Sequence, residues 1–160
     1  MATEAQYKFF EKLYDEQADR RKNIQERAKF YFTVVSFYFG AVVFKLQDIV
    51  QAKSHPRMEI VFGICSAVVI SLSLLFTLLA IRVRAYEAPC DPEKWIENVG
   101  ENPQDDLEFF EDRIVDFAVA ANRNEKINTA AAIKIKVAGW LIFAAVIVQL
   151  VGLICLYAFR

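Results

Sequence analysis

Ile60–Ile81 reads IVFGICSAVVISLSLLFTLLAI, about 22 residues without a single charge. A helix rises about 1.5 Å per residue, so a bilayer core of about 30 Å needs roughly 20 apolar residues to cross it. This stretch has the length. Its polar groups are the hydroxyls of Ser66, Ser71, Ser73 and Thr77, which can bond carbonyls of their own helix. The segment is therefore predicted to span a membrane, and that decides the fold class.

Working outward, Val137–Phe159 (VAGWLIFAAVIVQLVGLICLYAF) is a second uncharged run, interrupted only by Gln149. Phe30–Leu46 (FYFTVVSFYFGAVVFKL) is shorter and carries Lys45 near its end, whose ammonium must snorkel to the headgroups. It is apolar all round rather than along one stripe, which favours a span over a surface helix. The whole chain is 160 residues, 56% hydrophobic and 24% charged, and those averages conceal how completely the charges avoid the three runs. The heavily charged first 29 residues do not have the pattern of a signal peptide, so Phe30–Leu46 is expected to be a retained anchor.

Lysine and arginine placement sets the expected orientation. Arg20, Arg21, Lys22, Arg27 and Lys29 precede the first span, Arg82 and Arg84 follow the second, and Lys134 and Lys136 precede the third. Lys53, Arg57 and Arg160 are left for the other side. The N-terminus and the segment Arg82–Lys136 are thus expected in the cytoplasm, and the C-terminus outside. The predicted organisation is a cytoplasmic amphipathic helix (1–29), a transmembrane hairpin (30–81) with a short outer loop (47–59), a cytoplasmic connector and long helix (82–136), and a C-terminal span (137–160). The expected fold is an all-α integral membrane protein with three transmembrane helices, long helical cytoplasmic stalks and an oligomeric assembly.

The two stalk helices have legible patterns. No glycine or proline occurs from Thr3 to Phe39, and Phe10, Leu13, Tyr14, Ile24 and Ala28 fall near one face that Gln17 and Arg21 interrupt. Such a face packs only if its polar positions are paired or wet. Asn102, Pro103 and the acids Asp105, Asp106 and Glu108 form a helix start. Beyond it Leu107, Phe110, Ile114, Phe117 and Ala121 follow a three-four spacing whose register then meets Asn124 and Asn128. One helix is predicted from Pro103 to about Phe159. Both stalk helices then run towards the membrane as parallel neighbours. The connector between them must return over roughly 50 Å, which about 21 residues of straight helix do not reach. Ala88–Pro92 (APCDP) and Gly100 supply extended turns, and Trp95 and Ile96 are expected to pin a short turn onto the stalk.

Catalytic constellations are missing from the sequence. His55 is the only histidine, no CxxC occurs among the three cysteines Cys65, Cys90 and Cys155, and no glycine-rich phosphate loop is present. The acids Glu101, Asp105, Asp106, Glu108, Glu111 and Asp112 are explained by helix-start preference better than by metal binding. No enzyme activity, cofactor or metal is expected. Two features carry functional readings. Gln149, near the middle of a span, either bonds a neighbouring helix or lines a water-filled path. The basic residues Arg20, Arg21, Lys22 and Arg27, with Arg113, Asn122, Arg123 and Lys126, either set topology and attract anionic lipid or bind an anionic ligand between stalks.

The plan of a charged helix entering a span, a short outer loop, and a long helix carrying AVAANRNEKIN (Ala118–Asn128) resembles small bacterial membrane effectors of nucleotide-signalling anti-phage systems. The SLATT-type two-span effectors and the membrane effector of Hailong-type systems are the groups in question; the third span is an addition to the two-span plan. The resemblance implies a pore-forming effector in the bacterial inner membrane, partnered by a nucleotide-synthesising protein. Three spans cannot enclose an aqueous path alone, so a channel requires a homo-oligomer, for which a tetramer is favoured. The rival expectation is a non-conducting membrane scaffold that recruits a cytoplasmic protein.

Overall fold

The computed structural model describes residues 3–51, 57–82, 86–89 and 106–158. Among them are three helices, α1 (Glu4–Gln51), α2 (Arg57–Ile81) and α3 (Asp106–Ala158). Each contains a window long and apolar enough to cross a membrane. The expected start of the last helix at Asn102 and Pro103, and the turn at Trp95 and Ile96, lie outside the described residues, as do His55 and Cys90.

α1 starts on a reciprocal cap. The Gln6 N–H donates to Thr3 Oγ1 at 3.4 Å, and the Thr3 N–H donates to Gln6 Oε1 at 3.0 Å, so two otherwise orphaned donors are satisfied together. From there 48 residues run without a break. The helix also exceeds the expected span end at Leu46: residues 47–51 and 57–59, expected in the outer loop, are helical. Gln47–Gln51 contains no glycine or proline to stop propagation.

The chain divides into two compact units, one formed by residues 1–24 and 83–130 and one by 25–82 and 131–160. The first is here called the polar unit and the second the apolar unit.

In the apolar unit the first and third helices run parallel, because Tyr31 stands against Gly139 and Tyr38 bonds Gln149. α2 is antiparallel to them, with Phe62 against Gly152 and Ser73 against Ala138. Val35, Val42, Ile70 and Ala145 form the centre. The inward positions alternate three and four residues apart: Ala28, Tyr31, Val35, Tyr38 and Val42 on α1; Ser66, Ile70, Ser73, Thr77 and Ala80 on α2; Ala138, Ile142, Ala145, Gln149 and Gly152 on α3. That period is the seam of left-handed helix packing. Small residues dominate it on α2 and α3, as close approach of helices in lipid requires. Ser71 and Thr77 donate to carbonyls of their own helix as expected, at 2.8 and 2.9 Å. Ser73 instead donates to the Ala138 carbonyl at 2.9 Å and so ties two helices together.

Candidate functional site

The polar unit keeps the same three-four seam and fills it differently. On α1 the inward positions are Tyr7, Phe10, Tyr14, Gln17, Arg21 and Ile24; on α3 they are Phe110, Ile114, Phe117, Ala121, Asn124 and Asn128. Ring contacts join the two helices at one end: Tyr7 lies 5.7 Å from Phe110 and 5.6 Å from Phe117, and Tyr14 lies 5.7 Å from Phe117. The pairs advance together along both helices, so the segments are parallel. At the other end hydrogen bonds replace rings. The Asn128 Nδ2 donates to the Gln17 carbonyl at 2.9 Å and to Gln17 Oε1 at 3.2 Å. Arg20 donates to Thr129 Oγ1 at 3.5 Å.

Asn124 is fully buried, and its amide holds the backbone of one residue. Asn124 Oδ1 accepts from the Glu87 N–H at 3.1 Å, and Nδ2 donates to the Glu87 carbonyl at 3.0 Å. An extended residue presents its N–H and C=O on the same side, as in a β-ladder, and the side-chain amide completes that pair. Tyr86–Ala88 is accordingly non-helical. Two neighbours add to the clamp. Arg123 donates from one terminal nitrogen to both carboxylate oxygens of Glu87, at 2.8 and 2.9 Å. Arg21 places its guanidinium carbon 4.6 Å from the centroid of the Tyr86 ring, a cation–π contact, and Tyr14 packs on the same ring at 5.9 Å. Burial pushes the Tyr86 phenol above its ordinary range, aided by neighbouring Tyr14 and opposed by Arg21. Burial likewise raises Tyr14, with Asp15 adding to it. The Tyr86 hydroxyl is buried without a hydrogen-bond partner among the described residues.

The expected anion-binding residues therefore separate into two sets. Arg21, Arg113 and Arg123 are engaged within the chain, Arg113 with Asp116 at 3.4 Å. Lys22, Asn122 and Lys126 are exposed, and so is Arg20 despite its bond to Thr129. Arg27 belongs to the apolar unit. Two of the expected residues, Arg21 and Arg123, meet at the clamp, on Tyr86 and Glu87, residues that sequence reading did not single out. The available signal was that two asparagines in a buried register need polar partners.

Gln149 is half-buried and accepts a hydrogen bond from the Tyr38 hydroxyl. Ser66, fully buried on α2, has no hydrogen-bond partner for its hydroxyl among the described residues. Cys65 is exposed and Cys155 half-buried, both as free thiols. Among the described residues no group of histidine, cysteine and carboxylate side chains is arranged to hold a metal. No model of a known protein family matches the chain, and neither does any curated protein or solved structure.

Proposed function

We propose that this protein is a homo-oligomeric membrane effector, a gated ion channel of the bacterial inner membrane controlled by a nucleotide or oligonucleotide at its polar unit. The resemblance to nucleotide-signalling defence effectors suggests the role, in which opening collapses the membrane potential during phage infection. One structural observation supports it most. The apolar windows of the three spanning helices are only 17, 28 and 17% buried within the chain, so most of their surface needs lipid or further copies to cover it. An assembly of copies is what a channel requires. In this reading the polar unit faces the cytoplasm, and Arg20, Lys22, Asn122 and Lys126 supply the anion-binding surface. Gating is a shift between two packings of the polar seam, which the hydrogen bonds from Asn128 to Gln17 hold in register.

The non-conducting scaffold has its own support, because Gln149 meets Tyr38 inside the protomer and needs no water-filled path. Ion flux into liposomes separates the two. The channel predicts flux that changes when a nucleotide is added, a response lost on Lys22→Gln/Lys126→Gln, and altered conductance for Gln149→Leu. The scaffold predicts flux equal to protein-free liposomes with every nucleotide tried. It also predicts only a modest stability loss for Gln149→Leu, about 0.6 kcal/mol for an average interhelical bond in lipid.

A further inference from the structure

The apolar unit carries an open groove of about 870 Å³ between α1 and α3. Arg27 and Tyr31 line it from one helix, and Lys136, Gly139, Trp140 and Phe143 from the other. Its chemistry is graded along its length. Tyr31 lies against Gly139, where an added Cβ would stand 3.6 Å from the phenol oxygen. The helices are parallel, so four residues back on each places Arg27 level with Ile135 and Lys136. Both cations thus share one end. Trp140 and Phe143 follow about 6 and about 10 Å further along α3, inside the uncharged run that begins at Val137. Both rings are largely uncovered, at 64 and 57% exposure. No carboxylate is among the lining residues.

We infer that this groove binds an anionic phospholipid, with the headgroup phosphate between Arg27 and Lys136 and an acyl chain along Trp140 and Phe143. Charge complementarity fixes the headgroup class, since two cations at one level favour an anionic over a zwitterionic lipid. The apolar end selects an amphiphile over a soluble phosphate, which would occupy the cationic end and leave both rings uncovered. Trp and Tyr beside the basic residues are the side chains that settle at a headgroup boundary.

Trp140 is itself the reporter. The full chain carrying Trp95→Phe, which leaves Trp140 as the sole tryptophan, is reconstituted in phosphatidylcholine vesicles containing a bromine-labelled lipid. Labelled phosphatidylglycerol should quench Trp140 more than labelled phosphatidylcholine at equal fraction, with local enrichment of up to roughly thirtyfold, as expected of two cations acting on one anionic headgroup. Arg27→Gln/Lys136→Gln should bring the two lipids level, and Arg27→Lys/Lys136→Arg should keep the preference. Lys29→Gln/Arg82→Gln removes the same charge from the same unit outside the groove and should change nothing. Equal quenching by both lipids in the parent, or equal loss in the Lys29/Arg82 control, overturns the proposal. So does relief of quenching by excess inorganic phosphate, which would make this a free phosphate site. For the unaltered chain, native mass spectrometry from mixed-lipid nanodiscs should show phosphatidylglycerol adducts in excess; no excess has the same consequence.

Discussion

Asn124 uses both halves of its amide on a single residue, and the consequences of losing it differ from those of its neighbours. In Asn124→Ala the Glu87 N–H and C=O lose their partner in a partly buried place. A stranded backbone group costs about 1–3 kcal/mol, so a loss of about 2 kcal/mol is expected, concentrated in the attachment of the Tyr86–Glu87 segment. Hydrogen exchange should show it as lost protection at the Glu87 amide. Arg123→Gln removes a solvent-exposed ion pair, worth at most about 1 kcal/mol, and should leave that amide protected. Tyr86→Phe deletes a buried hydroxyl without a partner among the described residues. It should be neutral or stabilising by up to about 1 kcal/mol, with the ring still under Arg21. If Asn124→Ala leaves Glu87 protected, the clamp is not what holds the segment.

The same rings give the polar unit an alkaline limit. Tyr14 and Tyr86 have folded-state values raised above the ordinary 10.0, chiefly by burial. The folded state then holds protons that the unfolded state has released, so stability falls with pH in that window. Their contribution is fully present below about pH 10 and is lost as pH rises through the raised folded values. Phenolate absorbance should show a tyrosine fraction titrating later than free tyrosine, with melting temperature falling over the same interval. Tyr86→Phe should reduce both effects. A single titration at the free-tyrosine value would contradict the burial of both rings.

At the scale of the elements, glycine separates two kinds of surface on these helices. A Cβ built on Gly152 would meet Phe62 Cγ at 3.0 Å and Phe62 Cβ at 3.1 Å, atoms near the root of that side chain. On Gly40 it would meet nothing within 4 Å. Gly152→Ala should therefore cost about 1–2 kcal/mol by forcing α2 and α3 apart. Gly40→Ala should be neutral or gain up to about 1 kcal/mol from helix propensity. Thermal unfolding of the two variants in one detergent tests the contrast, and equal melting temperatures would refute the packing of α2 on α3. The helices themselves were legible in the sequence, since Ile60–Ile81 and Val137–Phe159 need only length and lack of charge. Part of the seam was legible too, because Phe110, Ile114, Phe117 and Ala121 run in step into Asn124 and Asn128. Inside the spans it was not: where almost every residue is apolar, pattern does not distinguish a side facing lipid from one facing a helix. The partners of the asparagines were hidden for another reason. Gln17 is 111 positions from Asn128 and Glu87 is 37 from Asn124, and Tyr86–Glu87 has neither periodicity nor a turn motif of its own.

For the whole molecule the deciding quantities are uncovered apolar area and the side on which the cations sit. Phe37 is 82% exposed, Phe44 67% and Ile154 67%. Patches of that kind do not persist in water, and lipid or further copies must cover them. The polar unit presents Arg20, Lys22 and Lys126 to solvent, and the proposed function requires that it face the cytoplasm, the side that the excess of lysine and arginine flanking the spans predicts. In sealed vesicles this becomes a protease test. Trypsin added to inverted inner-membrane vesicles should cut after those exposed residues, whereas the same protease outside intact spheroplasts should leave the polar unit whole until detergent is added. Helical backbone resists cleavage, so cutting should be slow and should quicken in Asn124→Ala, where the unit is loosened. Cleavage from the spheroplast exterior alone would reverse the orientation. It would also remove the basis of the signalling proposal, because a nucleotide made in the cytoplasm would then have no route to Arg20, Lys22 and Lys126.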